Sequence, residues 1–441
     1  MLDRDTLGSS AGAFLTGVAV TSGPWLLTTL ALVLLRLTAS GGGVGHAERI
    51  ITVVYAVVIV LSAPIDIVMS RYAADRVYER RHEQIAAPLR WVLGATLVGF
   101  TAVGGIAMAI LSPPTELVVP GALLAAVVGA QWLMLSAAGG LSSPGIILRA
   151  FAFGAPLSVG GALLLSRVAG LDQAGHLLGF LFGQFVTLAI LLVGTFRALP
   201  PAEDEHASVG KAFGDYWLLA VSALAFQGGL WIDKLIVWQT AGGLAASSYA
   251  AAAAVAWLSV VPACAYLFVQ VETAFHRRFR AFYDALHTGA TLGHLDRQAA
   301  DMRSEVDRTL RGTAMVQACV TFPCLLAASI VARHLDLSGV GADALPWLLA
   351  GAAPQVIGLA ATLLLYYFDF RVSALIAALV QLVGNGLGTW AVYLLGGPLG
   401  AGYAGSCLLS CAVAIALLAR QTSNLVERTF QEQPYGYETA L

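Results

Sequence analysis

Twelve continuous apolar runs of 18 or more residues follow one another along the chain. Their approximate limits are 11–35, 50–70, 91–112, 119–140, 150–168, 177–196, 215–238, 249–270, 312–333, 344–368, 372–395 and 401–419. About 20 apolar residues in a helix cross the ~30 Å hydrocarbon core of a bilayer. Backbone in lipid must satisfy its own hydrogen bonds, which leaves only helices and closed barrels. Barrel strands alternate in polarity, whereas these runs do not, so a barrel is excluded. A soluble fold is excluded too. Only 11% of the 441 residues are charged, less than half of the roughly 25% that a soluble domain carries. The expected fold is therefore all-α, a polytopic membrane protein of about twelve transmembrane helices. The first run is too long for the roughly 7–15-residue core of a signal peptide and reads as a retained span.

Basic residues orient such a bundle, because cytoplasmic loops carry the excess of Lys and Arg. With the N-terminus placed inside, only Arg36, Arg49, Arg167 and Arg333 fall outside, and Lys234 lies within a span. The other 19 of the 24 basic residues fall inside. A wrong span count would scramble that alternation. Both termini are expected in the cytoplasm.

A polar connection containing Pro200-Pro201 and Glu203-Asp204-Glu205 splits the runs into six plus six. The expected organisation is an N-terminal six-helix lobe over 1–200, a cytoplasmic linker over 201–214, a C-terminal six-helix lobe over 215–420 and a cytoplasmic tail over 421–441. After span 2 comes Asp75-Arg-Val-Tyr78-Glu-Arg80-Arg81, and after span 8 comes Glu272-Thr-Ala-Phe275-His-Arg277-Arg278. Acid, aromatic and twin arginine recur at one spacing. Gly23-Pro24-Trp25 and Gly229-Leu230-Trp231 match in spans 1 and 7. The pattern favours a parallel internal repeat, a device of some transporters.

Ionisable residues inside membrane helices are costly and usually functional. In span 2, Tyr55, Ser62, Asp66 and Ser70 share one helix face, which suits either a watery cavity or a local hydrogen bond beside Pro64. In span 7, Asp233 and Lys234 are neighbours and point ~100° apart, so they should not aim at one ligand. Asp233 then pairs with another helix, or Lys234 snorkels to the surface. Lys234 shares its face with Gln227, Trp231 and Trp238. In span 11, Gln381, Asn385 and Thr389 make a stripe among Gly384, Gly386 and Gly388, which could line a pathway or bond helices together. Gln131, Gln184, Gln317 and Gln355 read as interhelical glue. The pathway candidates are Trp25, Ser62, Asp66, Gln227, Trp231, Asp233, Lys234, Gln381 and Asn385. Pro24, Pro64, Pro156, Pro262, Pro323 and Pro354 should each bend a span. The inside segment 271–311 holds Phe275, Phe279, Phe282 and Leu286 at helical spacing among Arg277, Arg278 and Arg280. It is either an amphipathic helix on the anionic leaflet or a continuation of span 8. The stretch Asp296 to Arg311 could dock a cytosolic partner.

There is no P-loop, no H-E-x-x-H, and no His/Cys cluster at metal-ligand spacing. Cys264, Cys319, Cys324, Cys407 and Cys411 all lie in apolar segments and read as small buried hydrophobes. The expectation is a transporter with no catalytic residues, no cofactor and no ATPase of its own.

Several motifs, spread from about residue 20 to 375, together resemble the Pel exopolysaccharide transporter family, PelG. That family sits within the multidrug/oligosaccharidyl-lipid/polysaccharide (MOP) flippase superfamily. The motifs are Ser22-Gly23-Pro24-Trp25, Ser70-Arg71-Tyr72-Ala-Ala-Asp75-Arg76, Trp231-Ile232-Asp233-Lys234, Val271-Glu272-Thr273, Phe282-Tyr283-Asp284-Ala285 and Tyr366-Tyr367-Phe368-Asp369-Phe370-Arg371. The resemblance implies a bacterial inner-membrane, flippase-like transporter with two six-helix lobes around a central cavity. It implies a galactosamine- and N-acetylgalactosamine-rich polysaccharide as substrate, moved from cytosol to periplasm. The implied partners are a cytosolic glycosyltransferase and a membrane-bound cyclic-di-GMP receptor, besides the lipid bilayer, with no role for nucleic acid. Arg71, Asp75, Arg76, Glu272, Arg277, Arg278, Asp369 and Arg371 are candidates for a cytoplasmic gate or for partner docking. The alternatives are an ion-coupled lipid-linked oligosaccharide or drug exporter of the same superfamily, and a non-transporting scaffold for a polysaccharide synthase.

Overall fold

Runs this apolar have no choice but to be helices, and the structure is helical throughout its regular elements. It is a computed structural model that describes residues 45–141, 144–200, 209–335, 337 and 339–432. The helices are α1 (His46–Tyr78), α2 (Ala86–Leu111), α3 (Thr115–Gly140), α4 (Pro144–Leu163), α5 (Asp172–Ala198), α6 (Val209–Asp215), α7 (Trp217–Ala241) and α8 (Gly243–Leu258). They continue with α9 (Val261–Gln270), α10 (His276–His287), α11 (Leu292–His334), α12 (Val340–Tyr367), α13 (Arg371–Leu394), α14 (Gly400–Ser423) and α15 (Leu425–Glu432). Ten helices are long and apolar enough to cross a membrane, and the bent pair α8 and α9 brings the number to 11 among the described residues. They coincide with the second to twelfth apolar runs. The first run, with Trp25 and Pro24, lies outside the described residues.

Two compact units divide the chain, with the division inside α8 between Ala254 and Val255. The division falls beyond the polar connection 201–214 because α7 packs along α1. In the first unit, α1, α3 and α5 pack together, α2 lies on α3, and α4 pairs with α5. Glycine permits that last pairing. A Cβ on Gly179 of α5 would overlap the backbone of Gly161 and Ala162 in α4, so the two backbones approach closely. In the second unit, α14 packs on α12 and α13, and α11 lies against α9, α10 and α12. Gly388 of α13 and Gly402 of α14 make a similar close crossing.

Of the six prolines expected to bend spans, Pro262 alone coincides with a break among the described residues. It sits in the first turn of α9, where its missing N–H costs nothing, and α8 meets α9 there at 40°. Pro64, Pro156, Pro323 and Pro354 instead lie inside uninterrupted helices. Long membrane helices tolerate one lost backbone bond when neighbouring turns and helices hold the rest. Two π-turns, Leu164–Val168 after α4 and Val271–Phe275 between α9 and α10, are further irregularities.

The arginine-rich ends gather within each unit. In the first, Tyr72 near the end of α1 donates to the Gln84 carbonyl before α2 (3.2 Å), and Tyr216 before α7 donates to Asp75 of α1. At the other end, the Ala47 amide donates to Gln173 of α5 (3.1 Å), and the Arg49 guanidinium lies 5.7 Å from the Trp238 ring centre. In the second, the rings of Phe275, Tyr367 and Phe368 meet, and Arg303 donates to the Ser423 carbonyl at the end of α14.

Candidate functional site

Helix α1 carries the first polar group. Its Ser62 hydroxyl donates to Asp66 Oδ2 at 3.0 Å, one turn away. The other oxygen, Oδ1, is buried and meets no hydrogen-bond donor among the described residues. The local hydrogen bond is thus present on one oxygen, and the other is left without a donor among the described residues. Tyr55, on the same face, turns to α5 and donates to Gln184 Oε1 (3.0 Å). Gln184 donates to Ser158 of α4 (3.0 Å), and Gln131 of α3 donates to the Gln184 carbonyl (2.6 Å). Four helices are joined by this buried network, so Gln131 and Gln184 act as glue.

Helix α7 carries the second. Asp233 is fully buried, and Lys234 is 9% exposed. The two neighbours meet each other rather than a common ligand. The flexible four-carbon stem of lysine lets Lys234 Nζ reach Asp233 Oδ1 at 3.1 Å while also donating to the Leu230 carbonyl at 2.8 Å. Asp233 also pairs with another helix. Tyr249, in the alanine-rich α8, donates its hydroxyl to Asp233 Oδ2 at 2.7 Å. Lys234 does not snorkel, because the charge is matched where it lies. Gln227 and Trp231, on the Lys234 face, are half-buried.

The stripe on α13 is buried against α14. Gln381 donates to Cys407 Sγ (3.3 Å), and Thr389 donates to Asn385 Oδ1 (3.0 Å). Gln381 thus bonds across to α14, whereas the contact to Asn385 comes from Thr389 on its own helix. Gln317 donates to Thr321 within α11 (2.9 Å) and to Ser259 between α8 and α9 (3.5 Å), and Tyr403 of α14 donates to Gln355 of α12.

The arginine-rich end of α1 is cross-braced. Arg71 faces Asp75 at 3.5 Å, and Arg76 reaches Glu79 at 2.7 Å and Gln84 at 3.1 Å while lying over the Tyr72 ring. Arg80 adopts a left-handed conformation (φ 60°) and turns the chain toward α2. In the second unit the matching segment keeps to a helix. Val271-Glu272-Thr273 forms the π-turn, and Arg277 and Arg278 follow within α10. The apolar side of α10 does not face lipid. Phe275 and Phe282 are fully buried, and Phe275 and Phe279 pack on Tyr367 and Phe368 at centroid distances of 5.4–6.0 Å. The segment therefore continues span 8. Two separate sequence motifs, Val271–Phe282 and Tyr366–Arg371, thus form one aromatic cluster. Asp369 turns the chain with φ 57°, and its two carboxylate oxygens each accept from Arg371 at 2.9 Å.

Sequence reasoning missed Tyr216, Tyr249 and Glu305. Tyrosine carries no formal charge, yet Tyr249 is the one large polar side chain in the run Ala245–Ala256. Glu305 is 4% exposed in a polar stretch and accepts from Gln270 (3.1 Å) and Arg308 (3.2 Å). Its place beside the buried line Leu295, Ala299, Met302 and Val306 was a usable signal.

The family model PelG, described as "Putative exopolysaccharide Exporter (EPS-E)", matches residues 1–430. The chain belongs to the PelG family. Its fold is that of MOP-superfamily transporters. A crystal structure of a MATE point mutant superimposes with TM-score 0.70 at 15% identity, covering 94% of this chain and 96% of the other. An outward-facing multidrug resistance MATE transporter of the MOP superfamily gives 0.67 at 17% identity, covering 94% and 96%. A MOP superfamily transporter from Pyrococcus furiosus gives 0.68 at 16%, covering 94% and 96%. No curated protein matches the chain by sequence. This PelG-family chain is thus a multi-pass membrane transporter of the polysaccharide-export class and not an enzyme.

Proposed function

We propose that this protein carries a galactosamine- and N-acetylgalactosamine-rich exopolysaccharide, Pel or a close relative, from a cytosolic synthase across the bacterial inner membrane to the periplasm. The observation that carries the reading is the PelG family match over residues 1–430. The placing of 19 of 24 basic residues on one side supports cytoplasmic termini. The partners in this reading are a cytosolic glycosyltransferase and a membrane-bound cyclic-di-GMP receptor, received at the arginine-rich ends.

Within the membrane the two acids have different parts. Asp233 is already matched by Lys234 and Tyr249, so it holds α7 and α8 together. Asp66 keeps an oxygen without a donor among the described residues. A partly cationic polymer supplies ammonium groups that would answer it, and this makes Asp66 the pathway acid. Asp66→Asn is expected to lower secreted polymer while membrane insertion and amount stay normal. Unchanged matrix secretion in that variant removes Asp66 from the pathway. The transport role itself is tested in proteoliposomes containing only this protein and its synthase. Polymer should accumulate in the lumen, and accumulation without this protein would reduce it to a scaffold.

A further inference from the structure

The helical run Val261–His287 has a second face, opposite the aromatic cluster. Ala274, Arg277, Arg278 and Ala281 recur there at helical spacing. Glu305 and Arg308 of α11 stand across from them, and the six residues line an open cleft of ≈ 360 Å³. The two alanines leave the floor low, and the arginines rise beside it.

The charges around this cleft are unequal. Glu305 is buried and already accepts from Gln270 and Arg308. Arg278 meets Asp301 at 3.3 Å, but both side chains are about half exposed, so solvent screens that pair. Arg277 donates through Nε to the Thr273 carbonyl at 3.4 Å. Among the described residues no carboxylate reaches its guanidinium. The lining therefore offers three guanidiniums against one buried carboxylate, and guanidinium matches the geometry of phosphate oxygens.

Depth decides which phosphate. The apolar run of α11 begins at about residue 312. Arg308 precedes it by about 6 Å at the helical rise. On the facing helix, Ala274 lies about 6 Å beyond the end of the apolar run, and Arg277 and Arg278 about 10–12 Å, with side chains that lean toward the helix N-terminus and so back toward the membrane. The headgroup layer of a bilayer is roughly 5–8 Å thick on each side. We propose that this cleft binds the phosphate of an anionic phospholipid from the leaflet at the arginine-rich end. A lipid there would tether α10 to α11 at the level where both helices leave the membrane.

The test uses the full-length protein in detergent, titrated with phosphatidylglycerol, phosphatidylcholine, inorganic phosphate or uridine diphosphate and read by native mass spectrometry. Phosphatidylglycerol should bind and phosphatidylcholine should not. Each arginine near a membrane surface contributes about fivefold, so Arg277→Gln/Arg278→Gln should weaken phosphatidylglycerol about thirtyfold. Ala281→Glu, which removes no arginine but fills the cleft with negative charge, should weaken it similarly. Arg297→Gln, in the soluble half of α11 and away from the cleft, should change nothing. Wild-type affinity in both cleft variants overturns the proposal. So does Arg277-dependent binding of phosphate or uridine diphosphate as tight as that of the lipid, which would make the ligand soluble. Because no polymer is present, failure here leaves the export reading standing.

Discussion

Tyr249 donates its hydroxyl to Asp233 across 2.7 Å, and the same carboxylate holds Lys234 at 3.1 Å. A charge pair is thereby closed within one helix and fastened to the next. Breaking a buried pair by removing one partner costs about 3–5 kcal/mol, whereas replacing both with apolar groups can be neutral. Asp233→Asn should therefore strongly lower the unfolding temperature of the detergent-solubilised protein. Asp233→Leu/Lys234→Met should recover most of the loss. A double variant as unstable as the single one would mean that the pair does more than neutralise itself.

Tyr249→Phe removes only the hydroxyl. A hydrogen bond to a charged group is worth about 1.5–3 kcal/mol, so the expected loss is in that range. It should not add to the loss from Asp233→Asn, because the two residues share one interaction. Thermal unfolding of the two single variants and the double variant gives the coupling.

The aromatic cluster ties the soluble extension of α9 and α10 to the turn between α12 and α13. Phe275→Ala should cost about 3–5 kcal/mol by leaving a cavity. It should also open the segment 276–311 to protease before the membrane helices unfold. Equal protease resistance in the variant and the wild type would show that α10 holds its place without that ring.

Glycines separate cleanly by what surrounds them. At Gly179 an added methyl group meets the backbone of α4, which cannot move aside, while at Gly160 it meets open space. Gly179→Ala should destabilise by about 1–3 kcal/mol through overpacking. Gly160→Ala should stabilise by roughly 0.5–1 kcal/mol, since it removes a flexible residue from a helix interior. Unfolding temperatures that shift in opposite directions are the expected result.

How much was legible depended on the range of the physics. The second to twelfth apolar runs mark the observed spans closely because transfer into hydrocarbon is a local, additive property of each stretch. Helix ends were less legible. α1 runs on to Tyr78 because Arg71–Asp75 and Arg76–Glu79 pair along its last turns, and α11 reaches back to Leu292 for want of a breaker. The break in α8–α9 was foreshadowed by Pro262, yet Pro64 and Pro323 looked the same in sequence and lie inside uninterrupted helices. Their neighbours, not their identity, made the difference.

From the sequence alone came the helical class, the positions of the spans, the asymmetry of charge and the family motifs, all of them properties read residue by residue along the chain. The tertiary structure alone decided that Asp233 is matched by Tyr249, that Asp66 keeps an oxygen unanswered among the described residues, that Gln381 is engaged between α13 and α14, and that two distant motifs share one aromatic cluster. Each of these turns on which helices lie side by side, and in a bundle whose every surface is apolar that choice is made by the few glycines, amides and charges that fit only one neighbour.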